Sequence, residues 1–136
     1  MDETLLDTDI LSEVLKRRNP RVLANTQQYL QQYGRLSFSA ISFYEVLQGL
    51  LSTGATTQLT TFLRVANTSE VVPVSLNVLR GAADLWAEGQ RGGFPCADAD
   101  LPIAATALES RRVLATGNTS HFSWIPGLTI ADWRAL

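Results

Sequence analysis

Cysteine is nearly absent from this chain of 136 residues: Cys96 stands alone, which excludes an intrachain disulfide and a cysteine-built zinc site. No apolar run approaches the roughly 20 residues that a membrane helix needs, and the first residues lack a basic-then-apolar signal. Membrane insertion and secretion are therefore not expected, and the lone thiol fits the cytoplasm. Charge is sparse as well. Charged residues make up 18% and apolar ones 46%, with a net charge of −2 and a pI near 5.3. That balance lacks the footprint of a protein that grips nucleic acid over its whole surface. It suits a globular chain with surplus apolar surface for a subunit interface. The basic residues are clustered, Lys16, Arg17, Arg18 and Arg21 in one group and Arg111 and Arg112 in another. Solvated helix ends account for each cluster taken alone.

What is present is alternation. Thr4–Asp7 reads as a short strand, and Ile10–Arg18 as a helix with Leu11, Val14 and Leu15 on one side. Asn19-Pro20 closes that helix and opens another, Pro20–Tyr33, which Gly34 ends. Leu36–Ile41 reads as a second strand, Ser42–Leu51 and Thr57–Ala66 as helices, and Val71–Val74 as a strand that Pro73 ends or places at an edge. Within residues 75–90, Val78, Leu79, Ala82, Leu85 and Trp86 have helical spacing. Leu101–Glu109 reads as a buried helix, and Val113–Ala115 and Leu128–Ile130 as the last strands. No repeat or linker divides the chain, so 1–136 is expected to be one domain. Short apolar strands between helices predict a parallel sheet covered on both faces, with ligands bound beyond the carboxyl ends of its strands.

Acids lie at those ends. Asp7 follows the first strand, Glu45 lies one helical turn after the second, Asp98 and Asp100 open the buried helix, and Thr116, Gly117 and Asn118 follow Val113–Ala115. Most have a quieter reading. Asp9 is placed to cap the first helix, Ser42-x-x-Glu45 matches a capping box, and Asp98 can cap the buried helix. Asp7 ends an apolar strand and need not cap anything. Convergence changes the weighing: two carboxylates about 5 Å apart repel by roughly 3 kcal/mol at an effective dielectric near 20. A divalent cation removes that repulsion. All-oxygen ligands favour Mg²⁺ or Mn²⁺ over zinc, and such a metal suits hydrolysis of a phosphodiester.

Taken together, LLDTDIL, SAISFYEVLQG, DADLPIAATAL and LATGNTSHF, with Trp133 after a last short strand, resemble the PIN-domain ribonucleases. Within them the likeness is to the VapC-type toxins of bacterial toxin–antitoxin pairs, and it runs from Leu5 to Trp133. The resemblance implies a three-layer α/β/α sandwich with a mainly parallel sheet of about five strands. It implies an endoribonuclease that depends on Mg²⁺ or Mn²⁺, with a metal-activated water attacking phosphorus in line. By position, Asp7, Glu45 and Asp100 would hold metal. Asn118 falls where a fourth acid or an asparagine is usual and would be a neutral ligand or a positioner of water and phosphate, while Asp98 is a possible substitute for the missing charge. Thr116 matches a hydroxyl residue that shapes the site. Asp9 stands where relatives commonly carry asparagine, which supports its capping role. The implied partners are RNA, a small DNA-binding antitoxin that blocks the site, and a second copy of the chain. Lys16, Arg17 and Arg18, beside the Asp7 segment, are candidate contacts for RNA or antitoxin, and Thr116 is a weaker one.

Rival readings are thinner. Asp7-Thr8-Asp9 also resembles the D-x-D opening of haloacid-dehalogenase-type phosphatases, but Leu11 stands where that motif wants Thr or Val. The only lysine, Lys16, lies too early to be the downstream cation that those enzymes and receiver domains need. An inactive PIN-like module that only binds a partner is the alternative, with Asn118 as the first lost ligand. His121, the one histidine, is expected to support the loop after Asn118, and Trp86 to pack in the core or in a dimer interface.

Overall fold

Each of the first two strands is ended by the residue that starts a helix. The computed structural model describes residues 1–135. β1 (Thr4–Leu6) stops at Asp7, the N-cap of α1 (Thr8–Lys16), and β2 (Ser37–Ser39) stops at Ser39, the N-cap of α3 (Ala40–Thr53). Between them α2 (Pro20–Tyr33) has the predicted bounds. Asn19 accepts from the amides of Arg21 and Val22, Pro20 fills the first position, and Gly34 closes the helix at φ 83°. The chain continues through α4 (Thr56–Asn67), β3 (Glu70–Val72), α5 (Leu76–Gly92), α6 (Asp100–Glu109), β4 (Val113–Ala115), α7 (Thr119–Phe122) and β5 (Ile130–Ala131).

The five strands form one sheet in the order β3-β2-β1-β4-β5, and every pairing is parallel. β1 is central, with Leu6 opposite Phe38 on one side and Ala115 on the other. Alternation along the strand then sends neighbours to opposite faces. Leu5 and Leu114 pack with α5 and α6 residues such as Leu85 and Ile103; Leu6, Phe38 and Ala115 pack with Ile10, Val22, Phe62 and Trp133. The result is the three-layer α/β/α sandwich. Leu5 and Leu6 are essentially inaccessible, which stabilises the fold by about 2 kcal/mol for each side chain.

α5 has the predicted period with a different phase. Val78, Ala82, Leu85 and Gly89 face the core, whereas Leu79 and Trp86 point outward, Trp86 being 50% exposed. Trp86 is thus not a core residue, and only its interface reading survives.

The N-terminal edge of the sheet carries an ion cluster. Arg112, entering β4, is 12% exposed; its Nη2 donates to Glu70 Oε1 at 2.8 Å, and its Nε lies 3.4 Å from Glu3. Ser37 Oγ donates to Glu70 at 3.0 Å, and Arg35 stands 3.7 Å away. Burial pushes the Glu70 carboxyl up, but the Ser37 and Arg112 hydrogen bonds and the two arginine charges outweigh it, leaving it below its ordinary value. Arg112 is therefore a paired, enclosed side chain rather than a solvated helix end.

Candidate active site

The opposite edge, beyond the carboxyl ends of the strands, gathers carboxylates. Asp7 is 3% exposed. Its backbone N–H continues the β1–β4 ladder to Ala115 O at 2.8 Å, and its side chain accepts from Thr8 N at 2.8 Å and from Thr116 Oγ1 at 2.7 Å. Burial is the main reason its carboxyl is pushed up to about 7, with the charges of Asp9 and Asp100 adding to it; the Thr116 and Thr8 hydrogen bonds pull the other way. Asp7 also caps α1, the role expected of Asp9. Asp9 lies inside the first turn. It accepts from Ile10 N and, at 2.8 Å, from Gly117 N, so it ties α1 to the loop after β4 instead of capping the helix.

Glu45 lies in the second turn of α3. Because Ser39 caps that helix and Ser42 is buried within it, the capping box read from Ser42 and Glu45 does not form. Thr8 Oγ1 lies 2.6 Å from Glu45 Oε1 and 2.9 Å from Ser42 Oγ. The Thr8 hydroxyl has one proton, so it donates across the shorter contact to Glu45 and accepts from Ser42. This relay fixes the glutamate beside the segment that carries Asp7.

Asp100 is the first residue of α6, where the helix dipole favours a negative charge. His121, from the short α7, lies 3.0 Å from it through Nδ1. The histidine therefore touches a candidate ligand, a contact that its position in the sequence did not signal.

The other candidates divide. Asp98 is exposed, caps nothing and is not among the charges acting on Asp7. Asn118 is exposed, and its backbone N–H donates to Thr116 Oγ1 at 3.0 Å. Thr116 has no exposed surface and its hydroxyl is already used, so it holds Asp7 rather than touching RNA or a partner. Lys16 and Arg18 line an open cleft of about 560 Å³ together with Thr8, Leu15, Glu45 and Leu50, between α1, α3 and α4. Arg17, in the left-handed region at φ 55°, borders a different cleft beside Leu30 and Leu36.

As placed, no three Asp, Glu, His or Cys side chains among the described residues close around one point as a ligand set. The donor chemistry nonetheless fits a divalent cation. Asp7 is buried, faces two further acids, and has no arginine, lysine or histidine paired with it among the described residues. A cation is what such a group lacks, and oxygen-only donors select a hard one.

A family model described as PIN domain matches residues 4–126. A VapC ribonuclease, Y4jK of Sinorhizobium fredii, is 34% identical over 126 residues, 87% of this chain and 89% of that protein. Ribonuclease VapC1 of Haemophilus influenzae is 28% identical over 136 residues, 95% and 96% of the two chains. Among solved structures, DNA-bound VapBC from Salmonella typhimurium superposes with a TM-score of 0.85 at 25% identity, covering 98% of this chain and 99% of that one. VapBC2 from Rickettsia felis bound to a promoter DNA fragment gives 0.84 at 21% identity, covering 96% and 98%, and shows the same fold.

Proposed function

This chain belongs to the PIN-domain family, with VapC ribonucleases among its relatives, and from that premise we propose that it is a metal-dependent endoribonuclease acting as the toxin of a toxin–antitoxin pair. The observation that carries the reading is Asp7: a buried carboxylate at the sheet's carboxyl edge, beside Asp9 and Asp100 and without a cation among the described residues.

In this reading Asp7, Glu45 and Asp100 hold Mg²⁺ or Mn²⁺, and Asn118 is a neutral contact for water or phosphate. When bound, such an ion supplies charge neutralisation and Lewis acidity toward water and a phosphodiester. The chain's own contribution is placement. Thr116 and Thr8 N fix the two oxygens of Asp7, the Ser42–Thr8 relay fixes Glu45, and the start of α6 fixes Asp100. No serine, cysteine or histidine is required as a nucleophile.

The protein acts as a single domain over 1–136 in the cytoplasm, and among the described residues no helix is long and apolar enough to cross a membrane. Its partners are RNA, a cognate antitoxin and a second copy of the chain. Complexes of the VapBC family of toxin–antitoxin systems among the structural neighbours support the antitoxin. Leu76, Leu79 and Trp86 on α5 leave an outward apolar stripe that suits the homodimer.

Brief induction in bacteria beside an Asp7→Asn copy, with new RNA ends mapped across the transcriptome, tests this. Discrete ends should appear only with the unmodified chain. Identical profiles from two folded proteins that bind Mn²⁺ equally would point to an inactive PIN-like binding module.

A further inference from the structure

The loop after β4 touches the acid edge at successive residues: Thr116 holds Asp7 and Gly117 N–H holds Asp9. The open face of Gly117 is covered by the guanidinium of Arg134, and any side chain at 117 would fall on that group. The backbone does not demand glycine there, because Gly117 is not among the residues of positive φ. Its missing side chain makes room for the arginine.

Arg134 is also held in place. Asp132 accepts from its N at 3.0 Å, Nε at 3.2 Å and Nη2 at 3.3 Å. Trp133, between them, is buried against Tyr29, and its carbonyl accepts from Asn25 at 3.1 Å. The guanidinium lies in the field of Asp9 and Glu13 as well as Asp132, with 40% of the side chain exposed. Asp132 uses Nε and one edge of Nη2, so among the described residues Nη1 and the other Nη2 hydrogen have no recorded acceptor. A pocket of carboxylates repels the phosphates of an incoming RNA, and a fixed guanidinium at its rim gives them a local bidentate partner.

We propose that Arg134 contacts a backbone phosphate of the RNA substrate beside the acid site, with Gly117 as the seat that lets it lie there. This rests on the ribonuclease reading above. The probe is a short fluorescein-labelled RNA of randomised sequence, followed by anisotropy across a KCl series with Mg²⁺, in an Asp7→Asn background that does not cut it. Arg134→Gln should weaken binding roughly tenfold. It should also lower the slope of log affinity against log salt by about 0.7, one single-strand phosphate contact, while Arg134→Lys keeps the slope. Gly117→Ala should reproduce the loss and add nothing on top of Arg134→Gln.

An unchanged affinity and slope in Arg134→Gln would overturn the proposal and leave Arg134 as a staple for the Asp132 segment. A loss of melting temperature alongside the weaker binding, or a loss of Mn²⁺ affinity when Arg134→Gln is made in the otherwise unmodified chain, would overturn it too, because the effect would then be structural. If the otherwise unmodified chain cuts RNA as fast with Arg134→Gln, only Arg134 falls. If the unmodified chain neither binds nor cuts RNA, the ribonuclease reading falls and takes Arg134 with it.

Discussion

At the N-terminal edge of the sheet Glu70 is met by Ser37, Arg112 and Arg35, and Arg112 reaches on to Glu3; at the C-terminal edge Asp7 is met by two threonine groups and by two further acids. Glu70 keeps 32% of its side chain exposed, whereas Asp7 is buried by the sheet. One sits below its ordinary value because its neighbours are cationic, the other far above because burial dominates and its charged neighbours are anionic. The lower, N-terminal edge pairs its charges within the chain. The upper, C-terminal edge carries a buried charge that a proton or an added cation would relieve.

The sharpest way to break this comparison is to remove the charge at Asp7. Its carboxyl moves from 3.8 to about 7, so the folded chain holds the proton more tightly than the unfolded one. Stability should therefore fall as pH rises from about 4 to 7 and stay low above that. At about pH 8, with chelator present, Asp7→Asn should be more stable than the parent by about 3 kcal/mol in urea unfolding, and by little at pH 4. Added Mn²⁺ should stabilise the parent and not the variant. A parent whose stability is flat across that window would show that Asp7 carries no such penalty.

The lower edge should answer with the opposite sign. Arg112→Met strips Glu70 of its closest cation and should cost about 2 kcal/mol near neutral pH, partly offset because Arg35 remains. Glu70 contributes stability above its unfolded value and loses it as pH falls through its depressed folded value, so the cost should shrink in acid. A smaller effect sharpens the upper edge. Thr8→Val removes the hydroxyl that orients Glu45 and should weaken Mn²⁺ binding about tenfold by calorimetry, with Thr8→Ser restoring it. Equal affinity in all three proteins would mean that the relay does not serve the metal.

Much of this was legible from residue order. α2 and β4 have the predicted bounds, because Asn19-Pro20 and Gly34 punctuate the one and short apolar character marks the other. The starts of α1 and α3 were displaced because Asp7 and Asp9, like Ser39 and Ser42, are equally good caps by type. Strand pairing decides between them, and that is a long-range property. The same holds within the site. Asp7, Glu45 and Asp100 could be picked as strand-end acids, but nothing local says that Asp9 binds the amide of Gly117, that His121 meets Asp100, or that Arg134 lies on Gly117. Trp86 shows the limit of periodicity: its spacing from the core residues of α5 is helical, and it still faces outward.

The hydrogen bond from Thr116 to Asp7 spans 109 positions, and β1 is flanked in the sheet by β2 and β4. Asp7 is thus made long before the hydroxyl that aims it. A chain still on the ribosome, translated through α5 and α6, has Asp7 without its β4 ladder, without Thr116 and without the amide that holds Asp9. The topology sets an order: the acid edge cannot be assembled until β4 and the loop after it are available to pair with β1.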